Sequence, residues 1–146
     1  MILDDTWVSV EAVSDDDIPL LVRYRPNLSN FFETGVYLQR MDVTWSYESF
    51  DPSLLPPADE MLLMEQVEDA LVDILEDDYQ SILAFVFTGE NERWWAWYTT
   101  DIDMAGDRLN DALSEFDELP ISITVIEDPE WEEYFGVMED FGEDEE

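Results

Sequence analysis

Residues 91–100, NERWWAWYTT, carry large side chains at successive positions. Alternate residues of an extended strand face opposite sides, so Trp94, Ala96 and Tyr98 share one face while Arg93, Trp95, Trp97 and Thr99 share the other. Such a strand is expected inside a sheet, with helices over one face. The second face needs a cover from the N-terminal hairpin or the C-terminal segment, or else forms a contact surface of the kind aromatic residues dominate.

The flanking segments supply that sheet. TWVSVEAV (6–13) alternates and meets the turn signal SDDD, and IPLLVRYRPNL (18–28) follows as a strand ended by Pro26-Asn27. Within 31–47 the later part alternates, with Met41, Val43, Trp45 and Tyr47 on one face. The connection at 48–60 holds three prolines. A helix is predicted from Ala58 to Asp77, where Leu63, Val67, Ala70, Leu71, Ile74 and Leu75 recur at helical spacing behind Pro57 and the acidic first turn Asp59-Glu60. QSILAFVFTG (80–89) reads as a strand turning at Gly89 into the aromatic one. Asp101 or Asp103 caps a second helix carrying Leu109, Ala112, Leu113 and Phe116, and ISITVIE (121–127) alternates as a last strand after Pro120. From residue 36 the order is strand, helix, strand, strand, helix, strand. The expected fold class is therefore α+β, with a ferredoxin-like split βαβ core. An N-terminal β-hairpin (1–30) precedes it, either extending the sheet or covering part of its second face. A C-terminal acidic, aromatic-containing segment (127–146) follows, with a short helix at 129–135 docked through Trp131 and Tyr134 or Phe135. All of 1–146 is expected to form one domain.

The charge is the second constraint. The chain has 39 carboxylates against Arg23, Arg25, Arg40, Arg93 and Arg108, no lysine, and a net charge of -34, yet 46% of its residues are hydrophobic. A core is therefore affordable, whereas the surface field opposes folding by self-repulsion and repels nucleic acid and anionic membrane. Arg23 and Arg25 face one side of their strand and are expected to act as internal counterions, and Arg93 is expected to hold a carboxylate in a bidentate pair. Absence of cysteine and histidine excludes disulfides, Cys/His metal sites and catalysis by those side chains. No window is long and apolar enough to span a membrane and the N-terminal residues do not form a signal peptide, so a cytoplasmic location is expected.

Several of these segments are similar to one known family. Trp7 with its strand, Ile18-Pro19-Leu20-Leu21-Val22-Arg23, Arg93-Trp94-Trp95-Ala96-Trp97-Tyr98 leading to Asp101, and above all Asp128-Pro129-Glu130-Trp131-Glu132-Glu133-Tyr134 resemble the bacterial family of uncharacterised domains numbered 695. The resemblance implies that the aspartate-proline-aromatic segment closes the domain. Some members occur beside a domain similar to acidic protein regulators of a bacterial ribonuclease. The family offers no catalytic residues to carry over, and this chain is more acidic than its usual member.

Carboxylate pairs such as Glu65 with Asp69 or Asp69 with Asp73 fall on one helix face, but no histidine, lysine or cysteine stands beside them, and a solvated face is the expected role. Asp101, Asp103 and Asp107 around Gly106 fail as a calcium loop because Ala105 and Ala112 occupy ligand positions. No metal, cofactor or catalytic residue is expected. The function expected from the charge is non-catalytic: sequestration or regulation of a basic partner protein, such as a nuclease or DNA-binding protein, as a DNA mimic, inhibitor or immunity-like protein. The candidate binding surface is Asp59, Glu60, Glu65, Asp69, Asp73, Asp77, Glu130, Trp131, Glu133, Tyr134 and Phe135. Two alternatives remain: adaptation to high salt, which predicts acid on every exposed face, and a carboxylate- or metal-dependent enzyme.

Overall fold

The computed structural model describes residues 7–13, 18–48, 55–114, 116 and 119–141. Four helices and a 3-10 turn accompany six strands: β1 (Val8–Val13), β2 (Pro19–Tyr24), α1 (Ser29–Glu33), β3 (Gln39–Ser46), α2 (Ala58–Leu75), the 3-10 turn Asp77–Tyr79, β4 (Ser81–Gly89), β5 (Glu92–Thr99), α3 (Ile102–Leu113), β6 (Ile121–Glu127) and α4 (Glu132–Phe141). The class is α+β. The strands form one sheet in the order β1-β2-β4-β5-β3-β6, and every neighbouring pair is antiparallel.

The aromatic strand β5 lies inside the sheet between β4 and β3, as its two-faced composition requires. On one face Trp95 and Trp97 join Met41, Val43, Trp45, Leu83 and Val86 beneath α2 and α3. Helix α2 contributes Met64, Val67, Leu71 and Leu75, all fully buried, and each such aliphatic side chain stabilises the fold by about 1.5–3 kcal/mol. On the other face Ala96 and Tyr98 pack with Ile82, Ala84 and Phe85. That face is closed by α1, through Phe31, and by α4, through Tyr134 and Val137. The N-terminal hairpin does not cover it: β2 pairs with β4 and extends the sheet, with β1 as its edge.

Two local features set the register at β4. A bulge between Leu83 and Phe85 turns both Ala84 and Phe85 toward the second face. Glu90 and Asn91, with φ of 54° and 73°, make the two-residue turn into β5. Gly89 is required by close approach of β2, since a Cβ there would lie 2.7 Å from Leu20 Cδ2 and 2.9 Å from the Pro19 carbonyl oxygen.

Candidate functional site

Helix α2 divides its carboxylates between two jobs. On the flank facing the sheet, Glu60 accepts a hydrogen bond from Trp45 Nε1 at 2.9 Å and Glu68 accepts one from Trp95 Nε1 at 2.9 Å. Glu68 also pairs with Arg23 at 2.6 Å, and Glu76, just past the helix, pairs with Arg25 at 2.6 Å while accepting from Leu83 N at 2.9 Å. Trp7 lies against both guanidinium groups, 5.0 Å from Arg23 and 4.7 Å from Arg25. These contacts fasten the N-terminal hairpin to α2 and use Arg23 and Arg25 as internal counterions.

The outward flank is different. Asp59, Glu65, Asp69 and Asp73 are exposed, and exposed Asp77 continues the series into the 3-10 turn. From Glu65 to Asp73 the spacing of four residues advances about 6 Å along the axis per charge. The result is a row of exposed negative charges, of which Glu65 and Asp69 also border the space beside Arg23 and Arg93. Glu60, grouped with this row on sequence grounds, sits on the inner flank instead.

The C-terminal candidates resolve into packing. Asp128, Pro129, Glu130 and Trp131 form a turn closed by Trp131 N donating to the Asp128 carbonyl at 3.0 Å. The Asp128 carboxylate is buried, accepts from Glu132 N at 2.9 Å and Glu133 N at 3.3 Å, and so caps α4. It also takes the Tyr98 hydroxyl at 2.8 Å and pairs with Arg40 at 3.2 Å, while Arg40 makes a bidentate pair with Asp42 at 2.8 and 3.0 Å. Burial raises the Tyr98 pKa, and its bond to the Asp128 carboxylate adds to the shift. Trp131 has φ of 55°, a conformation that favours glycine, and is held by stacking on Tyr98 at 4.2 Å and by Nε1 donating to the Tyr37 carbonyl at 2.9 Å. Tyr134 donates its hydroxyl to the Arg25 carbonyl. Trp131 is 1% and Tyr134 0% exposed, so neither can anchor a partner; both are consumed in closing the second sheet face. Phe135 is half-buried against Phe32, with ring centroids 5.1 Å apart, and only Glu130 and Glu133 remain exposed.

Other expectations meet similar outcomes. Asp101, not Asp103, caps α3, accepting from Asp103 N at 3.0 Å and Met104 N at 3.2 Å. Among the described residues Arg93 has no bidentate carboxylate: Nε donates to Thr88 Oγ1 at 2.8 Å, and Glu68 is already engaged by Arg23 and Trp95. Glu68, Glu76 and Asp128 were missing as named partners because their roles depend on strand register, which spacing alone does not reveal. Among the described residues no cluster of carboxylates is placed to hold a metal, and no helix is long and apolar enough to cross a membrane.

No curated protein and no solved structure shows a significant match to the chain. A family of unknown function, DUF695, matches residues 5–138, and with most of its length so covered the chain belongs to that family.

Proposed function

We propose that the protein is a non-catalytic binding domain that engages a basic protein, such as a nuclease or DNA-binding protein, through the outer face of α2. The observation that carries this reading is the series Asp59, Glu65, Asp69, Asp73 and Asp77, exposed while Glu60, Glu68 and Glu76 are occupied internally. A periodic acidic helix in a field of net charge -34 steers a basic cleft toward itself and competes there with phosphates. Glu130 in the turn before α4 and Glu133 in its first turn belong to a second acidic area, without the aromatic anchors. We read β3 to β6 with α2 and α3 as a ferredoxin-like split βαβ core; the strand order β4-β5-β3-β6 and the placement of both helices on one face support this. A cytoplasmic location accompanies the reading.

Affinity capture from native extract at low salt, followed by a salt gradient, tests it. Near-equimolar recovery of one basic nucleic-acid-processing protein supports the function. Release of many unrelated basic proteins together contradicts it. That outcome favours high-salt adaptation, for which one observation speaks directly: exposed carboxylates also occur on α3 (Asp103, Asp107, Asp111), on α4 (Glu132, Glu139, Asp140) and at the β4–β5 turn (Glu90, Glu92).

A further inference from the structure

A cleft of about 500 Å³ opens between the β1–β2 hairpin and the first half of α2. Its apolar walls include Leu21, Met61 and Val86, and the polar groups Arg23, Thr88 and Arg93 also line it. Exposed Glu11 and Glu65 stand at its rim. A smaller adjoining pocket shares Arg23, Glu65 and Arg93.

Arg93 is the unusual member. It is 6% exposed, its Nε is used by Thr88, and its Nη1 is buried without a hydrogen-bond partner. It forms no ion pair among the described residues, although the chain contains 39 carboxylates. Burial pushes the guanidinium pKa down from its ordinary value, against the opposing charge of Glu68. A buried cation that makes no ion pair, with only the longer-range attraction of Glu68 and Glu65, is costly, and a bound anion reduces that cost.

We propose that this cleft binds a small organic monocarboxylate with an apolar body, its carboxylate received by Arg93 and its body lying against Leu21, Met61 and Val86. The partnerless Arg93 Nη1 is the group that receives a single carboxylate. The rim carboxylates Glu11 and Glu65, with Glu68 and Asp69 in the adjoining pocket, disfavour dianions such as phosphate. The apolar walls favour a body of alkyl or aryl carbon over a hydroxylated one. The proposed protein-binding face of α2 meets this cleft at Glu65 and Asp69, so a variant that leaves both carboxylates in place, such as Arg93→Met, is what separates the two activities.

The test is a titration of the full chain with octanoate, followed by NMR at the Trp95 indole N–H, which touches Glu68, and at the Arg93 Nε–H. Saturable shifts at both are expected. Arg93→Met is expected to weaken octanoate at least about tenfold, equivalent to about 1.4 kcal/mol, and uncharged octanamide to bind wild type more weakly by a similar factor. Leu21→Trp, which leaves Arg93 in place and fills the cleft, is expected to weaken octanoate as strongly and decides the matter if Arg93→Met fails to fold. Absence of saturable shifts, as when water alone satisfies Arg93, overturns the proposal. So do unchanged binding in the variant that folds, equal binding of octanamide, and displacement of octanoate by inorganic phosphate at comparable concentration.

Discussion

Three buried arginine environments give three different outcomes from one side-chain chemistry. Arg40 is matched by Asp42 and Asp128, and Arg25 by Glu76, whereas Arg93 has the Thr88 hydroxyl and the Trp95 ring at 5.8 Å but no ion pair among the described residues. Removing one member of a matched pair leaves the other charge buried. Asp128→Ala is therefore expected to cost about 3–5 kcal/mol, since it strands Arg40, Tyr98 and the first N–H groups of α4 together. Urea unfolding measures this as a lower midpoint. Arg93→Met removes a buried cation that makes no ion pair among the described residues, and its unfolding free energy is expected to lie within about 1 kcal/mol of wild type, in contrast to Arg40→Met at about 3–5 kcal/mol. The segment Asp128 to Tyr134 thus owes its composition to a turn, a cap, an ion pair and an aromatic stack.

At the scale of elements, much was legible where a single periodicity dominated. Helices α2 and α3 and strands β3 to β6 follow the predicted order, and the aromatic strand lies inside the sheet. Helix α1 was missed because SNFFE has no helical repeat; Phe31 is fixed by edge-to-face contacts with Tyr37 and Tyr79 that come from distant segments. The C-terminal helix was foreseen at 129–135 but begins at Glu132 and runs to Phe141, because Asp128 to Trp131 are spent on the turn that precedes it. The split between the inner and outer carboxylates of α2 was invisible for a related reason: a helical pattern marks the apolar face but not which acidic neighbours meet Trp45, Trp95, Arg23 and Arg25. Strand β6 alternates in sequence, yet as an edge strand it leaves Ile123 and Val125 each 46% exposed. Val125→Lys is accordingly expected to change stability by less than about 0.5 kcal/mol in thermal or urea unfolding, and to blunt the edge against pairing with other strands.

For the whole molecule, charge and burial act in different pH ranges. Burial raises the pKa of Tyr47 to about 12 and raises those of Tyr98 and Tyr134 as well. Unfolded tyrosines ionise near their ordinary value of about 10 while these three stay protonated in the fold. Their contribution to stability is complete below pH 10 and falls as pH rises toward the folded values. Each tyrosine removes up to about 1.4 kcal/mol per pH unit in that window. Absorbance titration of the phenolates is expected to show these groups ionising together with unfolding, above pH 10. At neutral pH the net charge of -34 is the larger influence: added salt screens self-repulsion and is expected to raise the thermal midpoint. Salt stabilisation alone accompanies either functional reading, so location of the binding charge is what separates them.

The most direct measurement is partner capture by two variants with equal loss of charge. One replaces the α2 series, Glu65→Gln, Asp69→Asn, Asp73→Asn and Asp77→Asn; the other replaces Asp107→Asn, Asp111→Asn, Glu139→Gln and Asp140→Asn, which are exposed on α3 and α4. If the outer face of α2 is the binding surface, the first variant loses the basic partner at physiological salt and the second retains it. Equal retention, or equal loss, by the two variants contradicts that assignment.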